Sequence, residues 1–268
     1  MGTDIRHLEI TSQKKDLVEP NKEIWTDLGI KQSDNVLFFP TPNVLVPIAF
    51  AKFMNKRKVT FVDASEINVS TLISLAADMR LSNVTVKLAT PTGKFPIADS
   101  TFDLVFSDWG YSHFIQDSTP STGIEPEALT KELLRILKPE GRIAALDENG
   151  PPIMFPCPPE IQSIRNKIDL ARLEKYTMGR RIYGLLKSNG LKNIRLKGYS
   201  RFVTRDDGEK FTAELNRRIQ HLDLQKDSLV KSGLTPQEIE KYKQWLKIQA
   251  GNDSFIVQFN SILTVGQK

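Results

Sequence analysis

Three observations predict an α/β fold built on a mostly parallel, doubly wound sheet. Short apolar runs rich in β-branched and aromatic residues alternate with helical patterns through the first half of the chain. Several of these runs are apolar throughout, as in strands covered on both faces by crossover helices. The chain has 268 residues, 40% of them apolar, enough for one large core or a core plus a cap.

The elements follow in order. Asn35–Phe39 is the first strand and ends at Pro40. Val44–Asn55 carries a helical pattern. Lys58–Asp63 is β-branched and ends in an acid. Ile67–Arg80 is the next helix, Val84–Leu88 the third strand and Phe102–Ser107 the fourth. Glu125–Leu137 is helical, Lys138-Pro139 stops it, and Gly141 opens a fifth strand, Gly141–Asp147. Right-handed crossovers between these strands give the doubly wound arrangement.

The second half reads differently. Glu160–Asn189 is helical with a break near Met178-Gly179, and Gly190 is its stop. Ile194–Thr204 places Ile194, Leu196 and Phe202 opposite Arg195, Lys197 and Arg201, as in an edge strand or one with a wet face. Asp206–Ala250 is helical and highly charged, with Thr235, Pro236 and Glu238 forming a capping-box start. Ser254–Val265 is a last apolar strand. Neither a repeat nor a linker separates the chain into independent domains, so 1–268 reads as one domain. Its half over 28–150 precedes a second half, 151–268, with a helical insertion at about 206–250.

Composition excludes several classes. One cysteine, Cys157, leaves no disulfide framework, multi-cysteine zinc site or Cys-x-x-Cys pair, and reads as a packed loop residue. His7, His113 and His221 are scattered and make no metal motif. The longest apolar run, Val44–Ala51, contains Pro47 and is too short to span a bilayer. The first residues carry neither a signal-peptide core nor a myristoylation signal, so a soluble, cytoplasmic protein is expected. Residues 1–160 hold 16 Lys/Arg against 21 Asp/Glu, and residues 161–268 hold 21 against 11. A basic half can attract an acidic partner, but no run of five basic residues occurs and no nucleic-acid motif is present. A protein partner or a homodimer stays open.

Two blocks carry a resemblance. They are Phe95-Pro96-Ile97-Ala98-Asp99-Ser100-Thr101-Phe102-Asp103-Leu104-Val105 and Leu133-Leu134-Arg135-Ile136-Leu137-Lys138-Pro139-Glu140-Gly141-Arg142, in this order after a strand ending in Asp63. With Gly179-Arg180-Arg181, Gly184-Leu185-Leu186 and Asn189-Gly190-Leu191, they make the chain resemble class I S-adenosylmethionine-dependent methyltransferases. The branch most resembled is the ubiquinone/menaquinone-type small-molecule methyltransferases. The resemblance implies a Rossmann-like, seven-stranded sheet of order 3-2-1-4-5-7-6 with strand seven antiparallel. It also implies S-adenosylmethionine as cofactor and a small-molecule methyl acceptor. Ile194–Thr204 and Ser254–Val265 fit strands six and seven, and the segment between them is placed as a cap.

The same resemblance assigns site residues. Asp63 stands where an acid accepts hydrogen bonds from ribose hydroxyls, with Ala64 beside it. Asp63 also reads as a turn or cap residue, because Asp63-Ala64-Ser65-Glu66 precedes a helix. The family's glycine-rich loop is here Phe39-Pro40-Thr41-Pro42-Asn43-Val44. Proline has fixed φ and no N–H, so Thr41, Asn43 and N–H groups near Val44 would have to replace the glycines. The acid ending the family's first strand is replaced by Phe38. The family's adenine-side Asp is replaced by Pro91, leaving Thr90 or backbone to make that contact. Ser107, Asp108, Trp109 and Tyr111 follow strand four at the sheet's carboxyl edge, where ligands of open α/β sheets bind. Trp109 and Tyr111 are candidate walls, and Asp108 or His113 candidate general bases; His113 equally reads as a structural turn residue. Glu148-Asn149-Gly150-Pro151-Pro152 is a candidate substrate-mouth loop.

Two function classes follow. One is methyl transfer to a small molecule by positioning and desolvation. The other is a fold that only binds or scaffolds, or that uses the crevice for another reaction; Pro40, Pro42 and Pro91 motivate it. A nicotinamide oxidoreductase is weaker, because no strand is followed by Gly-x-Gly-x-x-Gly.

Overall fold

A computed structural model describes residues 19–39, 44–55, 57–89, 94–112 and 125–268. Eight strands form one sheet, β1 Val36–Phe39, β2 Val59–Asp63, β3 Val84–Leu88, β4 Phe102–Asp108, β5 Leu137–Glu148, β6 Ile153–Phe155, β7 Lys192–Thr204 and β8 Ile256–Gln267. The order is β3-β2-β1-β4-β5-β8-β6, and β7 pairs with β8. β1 through β5 run parallel, with Val36 opposite Val59 and Leu104. Lys268 N–H donates to Gly141 O, and Asn149 N–H donates to Asn260 O. Residue numbers rise on one strand as they fall on the other, so β8 is antiparallel to β5. With β6 set aside, β7 and β8 take the places expected for strands six and seven. The short β6, antiparallel to β8, was not legible beforehand; three residues between prolines carry too little pattern.

The chain forms two compact units. The first comprises Met1–Asp147, Gly179–Lys197 and Ile262–Lys268. Its helices are α1 Glu19–Asp27, α2 Leu45–Met54, α3 Glu66–Asp78, α4 Pro126–Ile136 and, apart from its first residue, α7 Met178–Ser188. All four residues of β1 are fully buried, as expected of a strand with parallel neighbours on both sides and helices on both faces. An aromatic cluster fills the space beside it. The Phe38 ring lies 4.9 Å from Phe50, 5.7 Å from Phe61 and 5.1 Å from Phe106, centroid to centroid. Such tilted and edge-on pairs favour a rigid arrangement.

The two sequence blocks are physically one device. The Arg135 guanidinium donates to Glu132, to Asp99 at 2.5 Å and to the Ile97 and Phe95 carbonyls. Glu132 in turn accepts from Phe95 N–H at 2.7 Å. The Ser100 and Thr101 N–H groups donate to the Arg135 and Ile136 carbonyls, completing the end of α4. The turn that feeds β4 is thus held by the helix that feeds β5. One boundary differs from expectation. α4 ends at Ile136 and β5 begins at Leu137, ahead of Lys138-Pro139. Pairing with β4 shifts register between Phe102 and Leu104, so Lys138, Pro139 and Glu140 fall in an irregular stretch.

The second unit comprises Glu148–Met178 and Gly198–Ser261. Its helices are α5 Pro159–Ala171, α6 Leu173–Tyr176, α8 Glu209–Leu224, α9 Lys226–Lys231 and α10 Pro236–Gln249. They pack a separate core of Ile161, Ile164, Phe211, Leu215, Trp245 and Phe255 among others. The break expected near Met178 lies at Arg172 and Thr177, where α5, α6 and α7 part. The expected helical insertion is three helices after a 3-10 turn at Arg205–Asp207. α10 starts with the expected capping box: Thr235 Oγ1 accepts from Glu238 N–H, and the Glu238 carboxylate accepts from Thr235 N–H.

Candidate functional site

The sheet order reverses direction between β1 and β4, and the carboxyl ends of β1, β2, β4 and β5 carry the chemistry. Such a switch point opens a crevice that no crossover covers.

Asp63 ends β2 and is 3% exposed. Its Oδ1 accepts from Ser65 N–H at 2.8 Å and its Oδ2 from Asn68 Nδ2 at 3.1 Å. Ser65 is itself the N-cap of α3. The cap reading of Asp63 therefore holds. Ala64 follows in the turn, partly exposed.

Phe39 ends β1, fully buried, with its ring 5.2 Å from Phe95. Ser107 and Asp108 end β4. The Ser107 hydroxyl is buried and has no hydrogen-bond partner among the described residues. Asp108 is 5% exposed, and its Oδ1 is buried without a partner among the described residues. Burial, and then the nearby charge of Asp147, push the Asp108 carboxyl up to about 7. Asp147, in β5, is itself fully buried and accepts from both the N–H and the hydroxyl of Ser112.

Trp109 leaves β4 in the left-handed region at φ 59°, and its N–H donates to Leu146 O at 2.8 Å. A bulky residue is costly there, and the cross-strand bond holds it. Gly110 follows because nothing larger fits. A Cβ there would come within 2.6 Å of Phe39 Cε1 and 2.5 Å of Ser107 Oγ. This close approach packs the β4 turn onto the end of β1.

Tyr111 is placed differently from its expected role. It is fully buried, with its hydroxyl 3.0 Å from Thr130 Oγ1. Thr130 Oγ1 donates to Pro126 O, so the tyrosine is the donor to Thr130. Burial raises its hydroxyl further above the ordinary tyrosine range. Its proton is committed to the interior, which makes Tyr111 a packing residue that ties the β4 turn to α4. Thr41, Asn43, Thr90, Pro91 and His113, with Pro40 and Pro42, lie outside the described residues. Gly110, Ser112, Thr130 and Asp147 were missed by sequence reasoning. Only an acid near the end of the fifth strand signalled Asp147.

The first unit thus brings Phe39, Asp63, Ser107, Asp108 and Trp109 to one edge of the sheet. Residues 45–145 match the model of the methyltransferase domain family. The match spans fewer than half of the chain's residues, and over that stretch the chain is similar to a methyltransferase domain. That family depends on S-adenosylmethionine. Among curated protein sequences none matches significantly.

Several solved structures share the fold of this chain. A candidate methyltransferase from Bacillus halodurans C-125 superposes with TM-score 0.57 at 14% identity, covering 92% of this chain and 97% of its own. An S-adenosylmethionine-dependent methyltransferase from Aquifex aeolicus gives 0.50 at 16% identity, covering 94% and 95%. Phosphoethanolamine N-methyltransferase 2 of Haemonchus contortus, in complex with phosphomonomethylethanolamine and S-adenosylhomocysteine, gives 0.54 at 14% identity, covering 93% and 52%. At these identities the common property is architecture.

The residues of the matched stretch suit such a cofactor. An acid ends β2, where a ribose would present two hydroxyl donors. A buried carboxylate oxygen without a donor ends β4. No metal-binding group of three His, Cys, Asp or Glu occurs among the described residues. None of the described helices is long and apolar enough to cross a membrane.

Proposed function

We propose that the protein transfers a methyl group from S-adenosylmethionine to a small molecule. The observation that carries this reading is Asp108 Oδ1, a buried carboxylate oxygen lacking a donor among the described residues, beside the switch point of a stretch similar to a methyltransferase domain. Unsatisfied buried acceptors are costly, so a ligand that donates there gains affinity.

When bound, S-adenosylmethionine supplies an electrophilic methyl group on a sulfonium. The chain supplies position and protons. Asp63, at the end of β2 and fixed by Ser65 N–H and Asn68, accepts from ribose hydroxyls. Phe39 and Trp109 wall the crevice, one held by Gly110 packing and the other by its strained turn. Asp108 titrates near neutrality, the range in which a carboxylate works as a general base. It takes the proton that an acceptor's hydroxyl or amine releases as the new bond to carbon forms. Ser107 offers its unpartnered hydroxyl on the same edge. Thr41, Asn43, Ala64, Thr90 and Pro91 belong to the same proposed cofactor surface, and His113 is a second proposed base. The cytoplasm is the proposed location.

Calorimetric titration with S-adenosylhomocysteine and S-adenosylmethionine, with NAD as control, tests the reading. Micromolar binding of both is expected, weakened about tenfold to a hundredfold in Asp63→Ala, the scale of lost hydrogen bonds to a charged group. Asp63→Asn keeps the size and guards against loss of the α3 cap. Absence of heat with either sulfur ligand would overturn the reading and leave a fold that binds or reacts otherwise.

A further inference from the structure

We propose that the second unit holds an oxyanion site for a phosphate group, built from Arg172 and Arg218 around the Arg165–Asp169 ion pair. The site is distinct in residues from the cofactor edge, and the proposal does not depend on the methyl-transfer reading.

Arg165 is the anchor. It lies on α5, 6% exposed, and its Nη2 donates to Pro152 O at 2.6 Å and its Nη1 to Gln162 at 3.3 Å. Its Nε stands 3.4 Å from Asp169 Oδ2, one turn on. The charges of Arg165, Arg172 and Arg218 all act on Asp169, so the three guanidinium groups lie in its neighbourhood, Arg165 in contact with it. They come from two helices far apart in sequence, α5 with its C-cap Arg172, and α8.

The donors left over point to the ligand. Among the described residues the Arg172 side chain makes one hydrogen bond, a long one of 3.5 Å from Nη1 to the Tyr176 hydroxyl. Its Nε and Nη2 are buried with no acceptor. Those two atoms form one edge of the guanidinium plane, the edge that grips two oxygens of a carboxylate or phosphate. Arg218 Nη2 is likewise buried and unaccepted, while Arg218 Nε lies 2.8 Å from Glu214. Buried guanidinium N–H groups without acceptors are rare and unfavourable. Two such arginines beside one carboxylate form an arrangement that awaits an acceptor.

Charge selects the kind of acceptor. Arg165, Arg172, Arg201, Arg217 and Arg218 stand against Asp169, Asp207 and Glu214, with Arg217 and Arg218 both paired to Glu214. Five cations against three anions leave two positive charges. A phosphate dianion balances this excess and a monocarboxylate balances half of it. Tyr242, buried nearby within reach of the Arg165 and Arg218 charges, and Phe259, under Arg218 at 5.3 Å, keep the surroundings poor in water, which strengthens charged hydrogen bonds.

Calorimetric titration of the full chain with inorganic phosphate, methyl phosphate and acetate, at constant ionic strength, tests the proposal. Saturable phosphate binding is expected, tighter than acetate, and weakened about tenfold or more in Arg172→Gln. Arg172→Lys keeps the charge but loses the fork, and is expected to bind in between. The exposed Lys247→Gln and the cofactor-edge variant Asp63→Ala are expected to bind as wild type. Tighter binding of methyl phosphate than of inorganic phosphate would assign a phosphate ester, and the reverse order free phosphate. Non-saturable heats, acetate binding as tightly as phosphate, or equal affinity in a folded Arg172→Gln or Arg172→Lys would overturn the proposal.

Discussion

Asp108 and Asp147 are buried carboxylates near the ends of neighbouring parallel strands, and they are satisfied unequally. Asp147 takes both the N–H and the hydroxyl of Ser112, whereas Asp108 Oδ1 has no donor among the described residues. Adjacent strands bring two acids into a space from which water is largely excluded. The one without donors carries the electrostatic cost.

That inequality predicts a pH dependence. Burial and the Asp147 charge raise the Asp108 carboxyl from 3.8 to about 7. Between those values the folded protein binds more protons at this site than the unfolded chain. This site's contribution to stability therefore falls as pH rises through the window, and levels off above it. Asp108→Asn removes the cost. Urea unfolding at pH 8 is expected to show the variant more stable than wild type, by on the order of 4 kcal/mol at most. At pH 4 the two are expected to converge. A difference that does not vary with pH would contradict this origin.

Gly110→Ala is expected to destabilise the protein by about 1–3 kcal/mol, the usual cost of overpacking. Its Cβ would crowd Phe39 and Ser107 Oγ, and neither can retreat from a filled interior. Gly184, within α7, has open space around its missing Cβ. Gly184→Ala is expected to be neutral or stabilising, by up to about 1 kcal/mol. Thermal unfolding of the two variants side by side separates packing from helix propensity.

Arg142 binds Asp34 at 2.6 Å and donates to the Leu28 and Gly29 carbonyls at 2.9 Å each. This joins the lead-in to β1 to the start of the regular β5 pairing. Asp34 is 8% exposed. Arg142→Ala leaves that carboxylate with the Lys31 N–H but no cation, and is expected to cost about 3 kcal/mol, the low end for breaking a buried pair. Circular dichroism melting checks it. Arg142→Lys is expected to recover only part, because an ammonium cannot reproduce the fork.

Thr235→Ala removes the acceptor for Glu238 N–H at the start of α10. A loss of about 1 kcal/mol is expected. It should appear as a lower urea midpoint at unchanged slope, since the surface exposed on unfolding stays the same.

Much of the fold was legible because its signals are local. Val36–Phe39 is apolar at every position, which a parallel strand buried on both faces requires. The capping box at Thr235 is written within four residues. Boundaries governed by pairing were less legible. Lys138-Pro139 looked like a helix stop, yet β5 begins at Leu137, because a shift in register with β4 absorbs the irregular residues.

The candidate site divides in the same way. By itself the sequence determined which strand ends carry acids, Asp63 and Asp108, and that β4 leads into Trp109 and Tyr111. Both follow from composition at the ends of readable strands. Only the tertiary structure decided what each group faces. It turned the Tyr111 hydroxyl inward to Thr130, set Asp108 beside Asp147, and required Gly110 against Phe39. It also gathered Arg165, Arg172 and Arg218 around Asp169 from helices about fifty residues apart. Periodicity reports which face of an element is buried. Which partner meets that face, and whether a buried polar atom finds a donor, depends on residues brought together by folding.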